Sequence, residues 1–272
     1  MPELPEVETL KCFLESKIIG LTINKLNKNR NTIRYKLSEQ LGLHVESAKI
    51  IALRRRAKYL LIDLDNSYSI IVHLGMTGRF TIQPRDYKIQ KHDHIVIFLG
   101  NGKLLVFNDS RRFGMIYSIK TNLIESNFLK NLGVEPLSDH MSVDYLETKL
   151  KNCTMPIKNL LMNNKIIVGI GNIYASESLF IAKIHPNRPS NSLTSNEIHD
   201  LLLAIKHVLA KAILAGGTTL KDFVSGDSKP GYFKQELQVY ARENQKCLNC
   251  QSVIEKIKQA GRTTFYCPTC QI

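Results

Sequence analysis

The sequence has no apolar run approaching the roughly 18 residues of a membrane span. Its longest helical pattern, residues 194–215, carries His and Lys and fits a soluble helix. The first ten residues have neither the basic n-region nor the apolar h-region of a signal peptide. No lipidation motif is present either, so the expected compartment is the cytoplasm. There is no internal repeat and no low-complexity tract, which argues against a solenoid or a linker-rich chain. Acid is scarce: 24 Asp and Glu face 37 Lys and Arg, leaving a formal charge of +13. Such a field favours an anionic partner, nucleic acid first and an anionic membrane second. Cysteine is limited to six residues, four of them near the end. In a cytosolic chain that pattern suggests metal ligation before disulfides. Cys12 and Cys153 stand alone and read as small buried hydrophobes.

At 272 residues and 43% hydrophobic composition the chain can build two modest cores. After a first helix, the pattern up to about residue 118 is mainly β. Residues 59–65 and 69–74 read as paired strands with a turn at Asn66-Ser67. Residues 94–107 read as a hairpin whose Asn101-Gly102 suits a type I′ turn, with both residues at positive φ. The polar stretch 81–93 reads as a long loop. Short strands at this spacing suggest a sandwich or barrel. From about residue 122 the pattern turns helical. Ser142 can cap a helix through Leu150, and Pro156 can open another over Ile157–Met162. Gly169-Ile170-Gly171-Asn172 is a tight turn before a helix reaching about Ile184. Thr194 and Glu197 form a capping box for the longest helix, striped by Ile198, Leu201, Leu202, Ile205, Val208, Leu209, Ala212 and Ile213. Gly216-Gly217 ends it. Residues 223–233 have the composition of a mobile loop.

The strongest single signal is Cys247-x-x-Cys250 followed by Cys267-x-x-Cys270. Two such knuckles let four thiolates close a tetrahedral zinc site at the base of a hairpin that turns at Gly261. The site is closed, so the metal is expected to be one structural Zn2+. Arg262, beside the tip, can reach a phosphate or simply be solvated. Lys49–Tyr59 is the densest basic stretch. On an unbroken strand Arg54, Arg56 and Lys58 share one face and Arg55 takes the other, fitting either phosphate contact or a solvated surface. Arg111-Arg112-Phe113 forms a turn whose Phe can wedge into a base step or belong to a core. Met76, between glycines, fits a core position in isolation. Asn172 after two glycines fits either a phosphate site at a helix N-terminus or an Asn N-cap. The start, Pro2-Glu3-Leu4-Pro5-Glu6, fits a capped helix continued by Val7, Leu10 and Leu14, with acids at its positive end.

Taken in order, these pieces resemble a bacterial formamidopyrimidine-DNA glycosylase, over essentially the whole length. The resemblance rests on Pro2–Glu6, Arg56-Ala57-Lys58-Tyr59-Leu60, His73–Gly78, Arg111–Gly114, Gly169–Ala175 and the four-cysteine finger. It implies an α+β protein with an N-terminal β-sandwich and first helix (residues 1–121), a helix–two-turn–helix domain (122–232) and a zinc-finger hairpin (233–272). It also implies a monomer acting on double-stranded DNA that contains oxidised purines or abasic sites, with no role at a membrane. The catalytic set it implies is Pro2 as nucleophile once Met1 is removed, Glu3 as general acid/base, and Lys58 and Arg262 at phosphates. The DNA-contacting set is His92, Arg111, Asn172, Met76, Phe113 and Glu6, with Glu6 supporting the site. In this reading Met76 and Arg111 fill the void left by the everted base. Arg111 reads the orphaned cytosine, Phe113 wedges the stack, and residues 223–233 cover the base. Two departures stand out: Ser110 where the family usually has Pro, and Thr263 where it usually has Ser. Endonuclease VIII-type relatives usually have Gly at Leu4 and lack the Arg-Arg-Phe turn, so the chain sides with the purine-lesion enzymes.

The implied chemistry needs no metal or nucleotide cofactor. A secondary amine can form an iminium with the opened sugar, which an amide nitrogen cannot, and β- then δ-elimination follows. Two other classes share part of the pattern: a zinc-finger DNA-binding protein without catalysis, and a zinc-stabilised RNA-binding protein.

Overall fold

A computed structural model describes residues 1–218 and 233–272. Of the stretch 223–233, expected to cover the base, residues 223–232 lie outside the described residues. The chain divides into two units, one of residues 1–130 with 215–218 and one of residues 131–214 with 233–272 among those described.

The first unit begins with helix α1 (Leu4–Ile18). Glu3 is its N-cap, in extended conformation, and Pro5 sits at its second position, where an N–H would have no helical partner. Leu4, Val7, Leu10, Leu14 and Ile18 repeat at helical spacing and are all buried. Strand β1 (Ile23–Lys28) and a short helix α2 (Leu41–Val45) precede the strands β2 (Ile50–Arg56), β3 (Tyr59–Leu64), β4 (Tyr68–His73), β5 (Arg79–Gln83), β6 (Asp93–Leu99), β7 (Leu104–Asn108) and β8 (Met115–Lys120). They form two antiparallel four-stranded sheets, ordered β1-β6-β7-β5 and β2-β3-β4-β8. One core joins α1 to both: Val7, Leu10 and Leu14 pack in the same cluster as Leu60, Ile62, Val72, Ile95, Ile97 and Phe107. The period-2 alternation is visible in β6, where Ile95 and Ile97 enter this core while Val96 joins Leu104 and Val106 in a separate cluster.

Several local expectations are corrected. The stretch 81–93 is not all loop, because its first three residues complete β5, paired with β7 through Gln83↔Leu104. The Asn101-Gly102 turn is not type I′: only Gly102 has positive φ, and Leu99 N–H donates to Lys103 O at 2.9 Å, closing a longer connection. Cys12 is exposed and Cys153 half-buried, so neither is a core hydrophobe. The basic strand is broken at Arg56. Ala57, with φ +53°, and Lys58 form the hairpin turn to β3, so Lys58 does not continue the face of Arg54. Arg54 is held by Asp63 (Nε–Oδ2 2.5 Å) and Arg55 by Glu8 (Nε–Oε2 2.6 Å). These two guanidiniums brace the fold.

The second unit contains α3 (Val143–Leu150), α4 (Ile157–Leu161), α5 (Asn172–Ile181), α6 (Ser195–Leu214) and the hairpin β9 (Glu255–Gln259) and β10 (Arg262–Tyr266). Ser142 caps α3 by accepting from Tyr145 N–H at 3.1 Å. Thr194 and Glu197 form the expected reciprocal bonds at α6. Helix α5 stops at Ile181, short of the expected Ile184. Lys183 takes φ +58°, and Lys183 N–H and Ile184 N–H donate to Phe180 O and Leu179 O, a Schellman ending built without glycine. Among the described residues no helix is long and apolar enough to cross a membrane.

Candidate active site

In the first unit the chain start and two loops share one cavity of about 660 Å³, lined by Met1, Ile33, Arg34, His73, Gly75, Met76 and Arg111–Phe113. Helix α1 delivers its own N-terminus there. Pro2 and Glu3 are buried behind Met1. Glu6, one turn on, accepts from Glu3 N–H through Oε2 at 2.8 Å. Its other oxygen, Oε1, accepts from both Thr218 N–H and Thr218 Oγ1, each at 2.9 Å. Gly217, at φ +79°, passes so close that a Cβ there would lie 3.0 Å from Glu6 Oε1. Glu6 is expected from the resemblance among the DNA-contacting residues. Its burial and these partners make it a positioning group for the backbone at Glu3.

Phe113 is 43% exposed, so it is not a core residue. The Arg111 guanidinium lies 5.1 Å from its ring centroid, a cation–π distance. Met76 is half-buried on the same cavity. Lys58, in its hairpin turn, is buried. Its charge, added to burial and to Arg34, pushes the pKa of His73 down to about 4, burial being the largest cause. Neutral His73 accepts from Gly75 N–H through Nδ1 at 3.0 Å, so its hydrogen sits on Nε2. His92 is not on the cavity wall: it is half-buried, its ring packs 6.4 Å from that of His94, and its carbonyl accepts from Asp109 N–H.

The second unit carries the remaining residues. Asn172 is the first residue of α5 and Gly171 is the N-cap, so the Asn is not capping. Its side chain is instead fixed on both sides: Oδ1 accepts from Lys158 Nζ at 2.5 Å, and Nδ2 donates to Thr263 O at 2.8 Å. Lys158 is fully buried and also donates to Thr264 Oγ1 at 2.5 Å. This network ties α4, the start of α5 and strand β10 together. The hairpin turns at Ala260-Gly261, both at positive φ, and Arg262 follows as the first residue of β10, exposed. Glu177, buried in α5, accepts from the N–H groups of Gln238, Val239 and Tyr240, which fixes the approach to the finger. Burial pushes its pKa up against those three donors.

Cys247, Cys250, Cys267 and Cys270 place their sulfurs within 4.8 Å of one another. Sγ–Sγ distances of 3.9 Å (Cys247–Cys270) and 3.4 Å (Cys250–Cys267) bracket the roughly 3.8 Å edge of a tetrahedron with Zn–S near 2.3 Å. Asn249 N–H and Cys270 N–H donate to Cys247 Sγ and Cys267 Sγ, as in a metal-binding knuckle. The donor set fits a structural zinc.

Family models match this layout piece by piece. Residues 1–116 match the formamidopyrimidine-DNA glycosylase N-terminal domain, 132–224 the H2TH domain of the same glycosylase, and 244–272 a zinc finger found in FPG and IleRS. The formamidopyrimidine-DNA glycosylase of Rickettsia bellii is 60% identical over 271 residues, covering 100% of this chain and 99% of that relative. The chain belongs to the formamidopyrimidine-DNA glycosylase family. The Rickettsia conorii glycosylase is 59% identical over the same length, covering 100% of this chain and 99% of its own. The fold is shared with the Lactococcus lactis FPG mutant in complex with a Fapy-dG containing DNA, at a TM-score of 0.94 and 36% identity, over 99% of each chain. The L. lactis Fpg in complex with abasic-site DNA gives a TM-score of 0.93 at 35% identity, again over 99% of each chain. The finger of this glycosylase-family chain is a site for one structural zinc.

His73, Asp109, Lys158 and Thr218 carry structural roles that no local motif assigns to them. A lysine inside the apolar run Ile157–Leu161 was the available signal for Lys158; nothing local marks Thr218. His73 has a measurable consequence. Its folded pKa lies below the ordinary value of 6.5, so the folded state binds fewer protons than the unfolded chain. The stability linked to it is full above pH 6.5 and falls as pH drops towards about 4, with no further loss below that. Denaturant titrations from pH 7 to 4 should show this slope, and His73→Gln should flatten it.

Proposed function

We propose that Pro2 is the nucleophile of the family's reaction, with Glu3 as its proton carrier. The protein is a DNA glycosylase for oxidised purines, 8-oxoguanine and formamidopyrimidines, in duplex DNA, and an AP lyase. The observation that carries the residue assignment is the position of Met1. It lines the cavity together with Met76, Arg111 and Phe113, and Pro2, the next residue in the chain, is buried. Removal of Met1 converts the Pro2 nitrogen from an amide into a secondary amine of reference pKa about 8, beside the N-terminus of α1, whose dipole favours the uncharged form.

The amine attacks C1′ of the everted nucleotide. The glycosidic bond breaks and its electron pair leaves with the base, which takes up a proton. The sugar ring opens and the Pro2 nitrogen, now doubly bonded to C1′, is an iminium cation. That charge acidifies the C2′ proton. Its removal expels the 3′ phosphate by β-elimination, and a second loss expels the 5′ phosphate by δ-elimination. Glu3, adjacent and oriented through Glu6, moves these protons. Lys58 and the Nε2–H of His73 supply donors for phosphate on the first unit, and Asn172 and Arg262 on the second. Met76, Arg111 and Phe113 enter the duplex, where eversion of a damaged base costs a few kcal/mol. Residues 1–121, 122–232 and 233–272 act as sandwich, helix–two-turn–helix and finger. The reading puts the work of this protein at the nucleoid in the bacterial cytoplasm.

Borohydride added during turnover of an 8-oxoguanine duplex should reduce the iminium and leave DNA covalently attached to Pro2, located by peptide mass. Absence of an adduct with protein lacking Met1 would exclude the proline mechanism.

A further inference from the structure

Asp109 stands immediately after β7, fully buried, and its carboxylate connects two loops far apart in sequence. Oδ1 accepts from Thr77 Oγ1 at 2.5 Å, and Oδ2 accepts from Gly114 N–H at 2.7 Å. Thr77 Oγ1 has one hydrogen, given to Asp109, so its lone pair accepts from Arg111 N–H at 3.0 Å. The direction of the chain is therefore fixed: Arg111 N–H to Thr77 hydroxyl to Asp109 carboxylate. Asp109 is itself held at its backbone. Its N–H donates to His92 O at 3.0 Å and its carbonyl accepts from His94 Nε2 at 2.7 Å.

The loops also meet backbone to backbone. Gly75 takes φ +66°, and a Cβ there would lie 2.4 Å from the Phe113 carbonyl carbon. At Gly114 a Cβ would lie 2.7 Å from Phe107 Cζ and 3.0 Å from Asp109 Oδ2. Arg112, between Arg111 and Phe113, is left-handed at φ +59°, a conformation that persists in a non-glycine residue only when its surroundings hold it. Buried hydrogen bonds to a charged acceptor are the strong kind, and they converge here on the turn carrying Arg111 and Phe113 and on the residue next to Met76.

We propose that Asp109, acting through Thr77, is a positioning residue that locks Met76, Arg111 and Phe113 into one rigid unit and thereby sets discrimination of the base opposite the lesion. This rests on the reading that those three side chains enter the duplex and that Arg111 reads the orphaned base. Asp109 and Thr77 are buried, so their effect passes through Arg111.

The test compares Thr77→Val, Thr77→Ser, Asp109→Asn, Arg111→Ala and the Thr77→Val/Arg111→Ala double variant. Single-turnover excision is measured on 8-oxoguanine paired with cytosine and with adenine. Thr77→Val is expected to lower excision opposite cytosine about tenfold and to erode the cytosine preference. Asp109→Asn should do the same or more, and Thr77→Ser should match the parent. The double variant should lose no more than Arg111→Ala alone, as residues acting in series do. Borohydride trapping on single-stranded abasic DNA, where there is no duplex to enter, should be unchanged in Thr77→Val, which separates positioning from misfolding. If Arg111→Ala leaves base preference intact, the reading of the inserted residues fails. If Arg111→Ala abolishes the preference while Thr77→Val keeps it, or the two losses multiply, the Asp109 proposal is overturned. Equal loss in Thr77→Ser and Thr77→Val would overturn it too, by showing that the hydroxyl is not what matters.

Discussion

Pro2→Gly, with Met1 processed, lowers single-turnover base excision by roughly a hundredfold or more, about 2.7 kcal/mol or more in activation free energy, while lesion-DNA affinity changes less than about twofold. Glycine keeps an α-amine in place, so the loss isolates two properties of proline. Its ring fixes the backbone on one side of the nitrogen and holds the lone pair in one direction, whereas glycine rotates freely and loses the near-attack geometry. Its amine is secondary and yields an iminium that cannot shed a proton from nitrogen, whereas a primary amine yields a neutral imine that activates C2′ less. Binding survives because the proposed phosphate and wedge groups lie elsewhere: His73, Met76, Arg111 and Phe113 line the cavity independently of the Pro2 ring. A variant that loses affinity in parallel with rate would show Pro2 to be structural. A chain that retains Met1 should behave as catalytically dead and binding-competent, since its nitrogen is an amide.

Stripping zinc from the finger lowers lesion-DNA affinity at least about a hundredfold, some 2.7 kcal/mol, and readdition of zinc restores it. The finger cannot hold itself together otherwise. Its core is Phe180, Val239, Cys247, Ile254 and Cys267, and two of these five are ligands themselves. Structural zinc contributes roughly 10–16 kcal/mol to such sites, more than this handful of apolar contacts can replace. The damage spreads beyond the hairpin. Thr263 O and Thr264 Oγ1, both on β10, are partners of Asn172 and Lys158, so unfolding the hairpin takes one acceptor from a fully buried ammonium and releases the proposed phosphate contact on α5. The sandwich, with its own core between α1 and two sheets, should keep its urea transition. Metal-free protein that binds lesion DNA unchanged would show that the finger plays no part in binding.

Much of this was legible in residue order. The stripe of α6, the caps at Ser142 and Thr194, the finger ligands and the strands at 59–65 and 69–74 follow from local rules: period, turn chemistry and metal-ligand spacing. Their causes lie within a few residues of their effects. Where a local rule met a tertiary competitor, it lost. Asn101 does not take positive φ, because a longer connection closed by Leu99 and Lys103 serves the same hairpin. Lys58 leaves its strand face because Ala57 turns the chain there. Arg54, expected on the phosphate-facing side of the basic strand, and Arg55, on its other side, are each taken by a carboxylate, Asp63 across the sheet and Glu8 on α1.

Residue order supplies the reagents: a proline beside a glutamate at residues 2 and 3, an Arg-Arg-Phe turn, a glycine-rich helix start and four thiols at zinc-binding spacing. Chemistry resides in functional groups, and those are written in the chain. Folding selects which of these groups are aimed and which are spent. It buried Glu6 between Glu3 and Thr218, left Phe113 exposed over a cavity, gave Asn172 to Lys158 and Thr263, and hid Asp109 where it joins two loops separated by some thirty residues. Each of those outcomes is a pairing between distant residues. A hydrogen bond is worth little in the open chain and much once water is excluded, so the pairing exists only after the fold has closed around it.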